Sequence, residues 1–468
     1  MNDRVISNPY RTLLLGCSFL CLFLFPLYLF PLYFMGTDYS AWGNDALKFT
    51  RCISSSIQPC SELSKFPIGY LAISFLIEYL KNHGLKPELS FVLINLIFLS
   101  LPIVFLYIIK KSKLAFKTAI IYIACLLLTP IPSFYIYSGA LELQAGVLVG
   151  LFLSSFILFI QKRYQSKNIY IFIILCFSAI LFPLYKDIIL IIVVLSLFIS
   201  LVIFLCLFRK SSITQTIKSA LPYKFQILLI LLCLTLPLCA SIYFNYFKYK
   251  SLIPLAYINE ASVSSPSKIK SVEFLLASLF SPNGGVLVFW FSSFICCYLL
   301  MRLKKQTFSQ LSLLVSVFLF AGSVIGLALW WAPFGWDSWG NRLMVPTMLG
   351  ILITLILTTN TQATQNIAIS RQTSKAPINL CVTKHRMLIK WITVILCLWS
   401  LHYVFVSYYT DKPKLIRESL LNHPSCLAMM DALRKEGQEQ GFAFWRSDYY
   451  YICARDRFLH IPSFWKQF

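Results

Sequence analysis

The sequence predicts an all-α polytopic membrane protein with about eleven transmembrane helices. Three observations predict it. The chain of 468 residues is 58% hydrophobic and only 13% charged, with a mean hydropathy of +0.73; a soluble chain carries about 25% charged residues. Apolar runs of about 20 residues recur from end to end, each long enough to cross a hydrocarbon core of about 30 Å. Basic residues are shared unevenly among the intervening loops.

The runs place spans at roughly 12–35, 90–109, 118–132, 143–160, 168–185, 188–208, 225–245, 284–301, 310–331, 343–359 and 390–408. In lipid each must be helical, because unpaired backbone groups find no water there. The first run is long, lacks a small-residue cleavage site and is followed by many others, so it reads as an uncleaved first helix. The stretch at 66–80, FPIGYLAISFLIEYL, is apolar but short. It predicts a helix lying in the outer interface, or a re-entrant one.

With the amino terminus in the cytoplasm, loop alternation puts 21 of the 41 lysines and arginines on the cytoplasmic side with one acid, Asp3. The remaining 20 basic residues and 17 acids fall outside. This asymmetry is the positive-inside pattern, and it accounts for the net charge of +23 without nucleic acid. The carboxyl terminus is then extracytoplasmic, and the expected location is a plasma (inner) membrane.

A transmembrane module over 1–408 therefore precedes an extracytoplasmic tail at 409–468. Function is expected on the outer face, in the first loop at 36–89, the loops at 246–283 and 332–342, and the tail. There is no nucleotide-binding glycine fingerprint, and no cysteine–histidine spacing suggests zinc. No metal and no cofactor is expected. Cys52 with Cys60, and Cys426 with Cys453, lie in outer segments. Each pair is either a disulfide or two unpaired thiols.

Six outer features have residue types suited to chemistry. Asp38 follows the first span, and Asp38, Trp42 and Ala46 share a face at helical spacing, with Asp45 one position off it. An acid there is either a cap or a general base at the lipid–water boundary. Glu142 opens the fourth span, either as a helix-dipole partner or as a companion to Asp38 in one cavity. Lys65 precedes the segment Phe66-Pro67-Ile68-Gly69-Tyr70, a proline-opened helix start. Ser281 to Gly285 form a turn before the next span. The stretch WWAPFGWDSWGNRLMVP at 330–346 crowds four tryptophans beside Arg342, a residue suited either to anchoring a span or to holding a phosphate. Lys186 and Asp187 are likewise either a self-satisfied pair or a phosphate contact.

In order and sidedness these features resemble the C-type glycosyltransferase (GT-C) superfamily, in its bacterial branch of protein mannosyltransferases and aminoarabinose transferases. The matching residues are Asp38, Trp42 and Ala46; KFPIGY at 65–70; Glu142; LFSPNGG at 279–285; and Trp339, Gly340, Arg342 and Pro346. The resemblance covers residues 10–360 and not the tail.

The resemblance implies a GT-C-like fold and an inverting transfer from a polyprenyl-phosphate sugar donor to a glycan, lipid or protein acceptor. It implies Asp38 or Asp45 as base, Glu142 orienting the acceptor or supporting the base, and Lys65, Lys186 and Arg342 neutralising the leaving phosphate. Trp42, Trp336 and Trp339 would contact the sugar. Membrane lipids are the remaining expected partners. The rival functions are a transporter or lipid-linked-sugar flippase, a polysaccharide polymerase or ligase, and a non-catalytic scaffold. Ion-coupled transport predicts charges near the bilayer midplane, and the eleven spans place none there.

Overall fold

The computed structural model describes residues 67–110, 112–127, 129, 135–136, 141–161, 168–206, 224–252, 268–280, 285–303, 306–330, 341–361, 391 and 395. Their helices are α1 Ile68–Asn82, α2 Pro87–Ile109, α3 Ser112–Leu127, α4 Glu142–Ile160, α5 Asn168–Tyr185 and α6 Asp187–Phe204. There follow α7 Lys224–Tyr249, α8 Lys268–Phe280, α9 Val286–Phe289, α10 Phe291–Leu303, α11 Gln310–Ala328 and α12 Val345–Leu357. A 3-10 turn, Arg342–Met344, leads into α12. Among the described residues the only strands are β1 Gln306–Thr307 and β2 Asn360–Thr361, paired antiparallel.

Among the described residues four helical stretches are long and apolar enough to cross a membrane: Leu89–Ile109, Glu142–Ile160, Phe225–Tyr249 and Gln310–Ala328. The expected spans at 12–35 and 390–408 lie outside the described residues, apart from 391 and 395. Two segments differ from the sequence reading. The expected span at 284–301 is broken at Trp290, whose backbone (φ −119°, ψ −18°) separates α9 from α10. The segment at 246–283, expected to be an outer loop, contains α8, whose Lys268, Lys270 and Glu273 keep its hydropathy below that of a span.

Polar contacts sort the helix ends into two groups. Lys110 Nζ donates to Thr359 Oγ1 at 3.0 Å, and Gln161 Nε2 donates to Ser309 Oγ at 2.8 Å. With the β1–β2 pair, these join the ends of α2, α4, α10 and α12 to the start of α11. Residues 142, 186 and 342 meet at the opposite end. Helices α4 and α12 thus run parallel, and α11 runs against them, its Ser323 hydroxyl 2.7 Å from that of Thr347.

Helix α4 is the axis of the bundle. Of its most apolar 18-residue window 83% is buried, against 22% for α7. The outward side of α7 carries Phe225, Leu228, Leu231 and Leu232, all exposed, as a helix facing hydrocarbon requires. Where lipid replaces water, apolar burial no longer drives helix association, and close backbone approach through small residues does. Gly146 and Gly150, four apart on α4, supply that approach to α12. A Cβ at Gly150 would lie 2.6 Å from Ile353 Cβ, and one at Gly146 would lie 3.1 Å from the Val345 carbonyl oxygen.

Candidate functional site

The parallel packing of α4 on α12 brings their two N-terminal ends together. Glu142 is the first residue of α4, where the helix dipole favours a carboxylate. Lys186 is the single residue between α5 and α6, at a reversal that follows Pro183 in the last turn of α5. Arg342 opens the 3-10 turn before α12, and the buried Asn341 holds that turn by accepting a hydrogen bond from the Met344 amide at 3.1 Å.

These three charged side chains, from three separate parts of the chain, converge. Lys186 Nζ lies 3.2 Å from Glu142 Oε1, and Arg342 Nε lies 3.5 Å from the same oxygen. Their side chains are 28%, 19% and 10% exposed for Lys186, Arg342 and Glu142. The ammonium of Lys186, expected either to pair with Asp187 or to contact a phosphate, reaches Glu142 of another helix. The charges of these three described side chains sum to +1, in a partly desolvated place. Such a cluster suits a further anion, and guanidinium with ammonium is a pairing that holds phosphate well.

A glycine fits helix α1 to this end. Gly69 of α1 lies so close to the end of α5 that a Cβ would sit 2.8 Å from the Leu184 carbonyl oxygen, two residues before Lys186. Pro67, extended at φ −73° and ψ 172°, starts α1. The KFPIGY segment is therefore a packing element against α5 over its described part, 67–70. Lys65 itself lies outside the described residues, as do Asp38, Trp42, Asp45, Ala46, Trp336, Trp339, Cys52, Cys60, Cys426 and Cys453.

Sequence reasoning missed a second polar cluster. Gln144 and Asn95 are both buried inside apolar helices. Gln144 Nε2 donates to Asn95 Oδ1 at 2.9 Å, and Asn95 Nδ2 donates to the carbonyls of Tyr135 and Ile136 at 3.3 and 3.0 Å. A census of charged residues passes over amides. The signal was an uncharged polar side chain in an otherwise apolar run. No group of three potential metal ligands occurs among the described residues.

No known family model, curated protein or solved structure matches the chain.

Proposed function

We propose that this chain is a GT-C-like glycosyltransferase of about eleven spans. In this reading it works at the extracytoplasmic face of a plasma membrane, with its amino terminus in the cytoplasm, and moves a sugar from a polyprenyl phosphate to an acceptor of the cell envelope. The observation that carries the reading is the meeting of Glu142, Lys186 and Arg342 at one end of the bundle with an excess positive charge.

In this scheme Asp38, or Asp45, takes the proton of the acceptor hydroxyl. The acceptor oxygen bonds to the anomeric carbon from the side opposite the leaving group, and the bond from that carbon to the phosphate oxygen breaks. The electron pair leaves with polyprenyl phosphate. Lys186 and Arg342, with Lys65, stabilise the charge that develops on that phosphate. Glu142 sets the two cations in place and orients the acceptor. Trp42, Trp336 and Trp339 offer faces on which a sugar stacks.

The test is release of polyprenyl phosphate from a panel of radiolabelled polyprenyl-phosphate sugars by the purified wild type and the Asp38→Asn variant, with and without acceptors. Turnover lost in a folded Asp38→Asn protein supports the scheme, and turnover that survives moves the base to Asp45 or Glu142. A wild type that binds no polyprenyl phosphate removes the transferase reading in favour of a transporter.

A further inference from the structure

Glu142 and Gln144 stand on nearly opposite sides of α4, since two residues turn an α-helix by about 200°. On one side Glu142, with Gly146 and Gly150 after it, faces α12 and the cations. On the other, Gln144 reaches Asn95 of α2. Asn95 is anchored in turn to main-chain oxygens of residues 135 and 136, in the connection between α3 and α4. Gln144, Asn95, Tyr135 and Ile136 are all buried, so water does not replace a lost contact among them.

Close packing of Gly146 and Gly150 on α12 fixes α4 from one side, and on its other side the apolar contacts of the helix carry little directional preference. A turn of one residue, about 100°, would carry Glu142 away from both cations. The amide link is the polar contact that opposes such a turn from the far side of the helix.

We propose that Gln144, acting through Asn95, is a positioning residue that sets the rotation of α4 and so holds Glu142 between Lys186 and Arg342. The meaning of that placement for catalysis rests on the transferase reading, but the placement can be tested without any substrate. Gln144 Oε1 is buried without a hydrogen-bond partner, so the link to Asn95 runs through the amide nitrogen alone. Gln144→Leu removes that link at nearly constant volume.

The experiment uses the full chain in a cysteine-free background carrying Glu142→Cys and Lys186→Cys, bridged by dibromobimane, which fluoresces when both thiols react. A second reporter carries Gln161→Cys and Ser309→Cys at the opposite end, where the native side chains are 2.8 Å apart. The expected result of adding Gln144→Leu is a roughly fivefold fall in 142–186 bridging, the equilibrium factor of one net amide hydrogen bond. Bridging at 161–309 stays unchanged. Asn95→Leu has the same effect, the double variant is no worse than either single one, and the reciprocal pair Gln144→Asn with Asn95→Gln restores part of the yield. Unchanged 142–186 bridging in Gln144→Leu, with 161–309 intact, overturns the proposal. So does a parallel fall of both reporters, which would make Gln144 a residue of general stability.

Discussion

Replacing Gly150 by alanine tests the packing that assembles the candidate site. The added Cβ would lie 2.6 Å from Ile353 Cβ, 2.7 Å from its Cγ2 and 3.1 Å from the Gly350 carbonyl oxygen. Ordinary carbon–carbon contact lies near 3.6 Å, so α12 must retreat by about 1 Å. Ile353 has no rotamer that relieves the clash, because the nearest atom is its own Cβ. Overpacking of this kind costs about 1–3 kcal/mol, and a backbone-fixed neighbour puts Gly150→Ala near the upper end. The assay is unfolding of the protein in mixed micelles by titration with a denaturing detergent, followed by circular dichroism. Gly350→Ala, whose Cβ would meet Val149 Cγ1 at 2.8 Å, should rank next, and Gly146→Ala, at 3.0 Å from Leu349 Cβ, after it. Gly326→Ala, with its nearest neighbour at 4.0 Å, should be neutral or mildly stabilising. Equal stability of Gly150→Ala and Gly326→Ala would refute the reasoning.

Two further predictions concern charge and burial. Glu142→Gln strips two cations of their shared acid and should cost about 2–3 kcal/mol, less than a fully buried pair because Lys186 and Arg342 keep some exposure. Lys186→Gln leaves Glu142 with Arg342 and should cost less; the same unfolding titration compares them, and equal losses would contradict the shared-carboxylate geometry. Leu148→Ala in the buried axis of α4 should cost about 2–5 kcal/mol, whereas Leu228→Ala on the exposed side of α7 should change stability by under about 0.5 kcal/mol. A ranking the other way round would mean that α7, and not α4, is enclosed.

Much of the fold was legible because membrane helices announce themselves by hydropathy. The expected spans 90–109, 143–160 and 168–185 fall on α2 Pro87–Ile109, α4 Glu142–Ile160 and α5 Asn168–Tyr185. Helix α8 was not legible, since an amphipathic helix with three charges near its start lacks the mean hydropathy that marks a span. The break at Trp290 was hidden for the opposite reason: an apolar run has no composition change where the backbone turns. For the site, chain order identified Glu142, Lys186 and Arg342 as residues at helix ends but gave no neighbours. Their convergence depends on which helices touch, and that is set by the glycines of α4 and by Gly69. Those glycines were visible, but their partners lie some two hundred residues away in α12 for one set and over one hundred in α5 for the other. Asn95 and Gln144 escaped because only ionisable groups were weighed, although an amide inside an apolar run also needs a partner.

The most direct test of the proposed function is the binding of polyprenyl phosphate to the full chain in nanodiscs, compared between wild type and the Lys186→Gln and Arg342→Gln variants. Wild type should bind it in preference to the uncharged polyprenol, and each variant should lose about tenfold in affinity, the effect of one charge-assisted contact of about 1.4 kcal/mol. Equal binding of polyprenol and polyprenyl phosphate by wild type, or undiminished phosphate binding by both variants, would contradict the account.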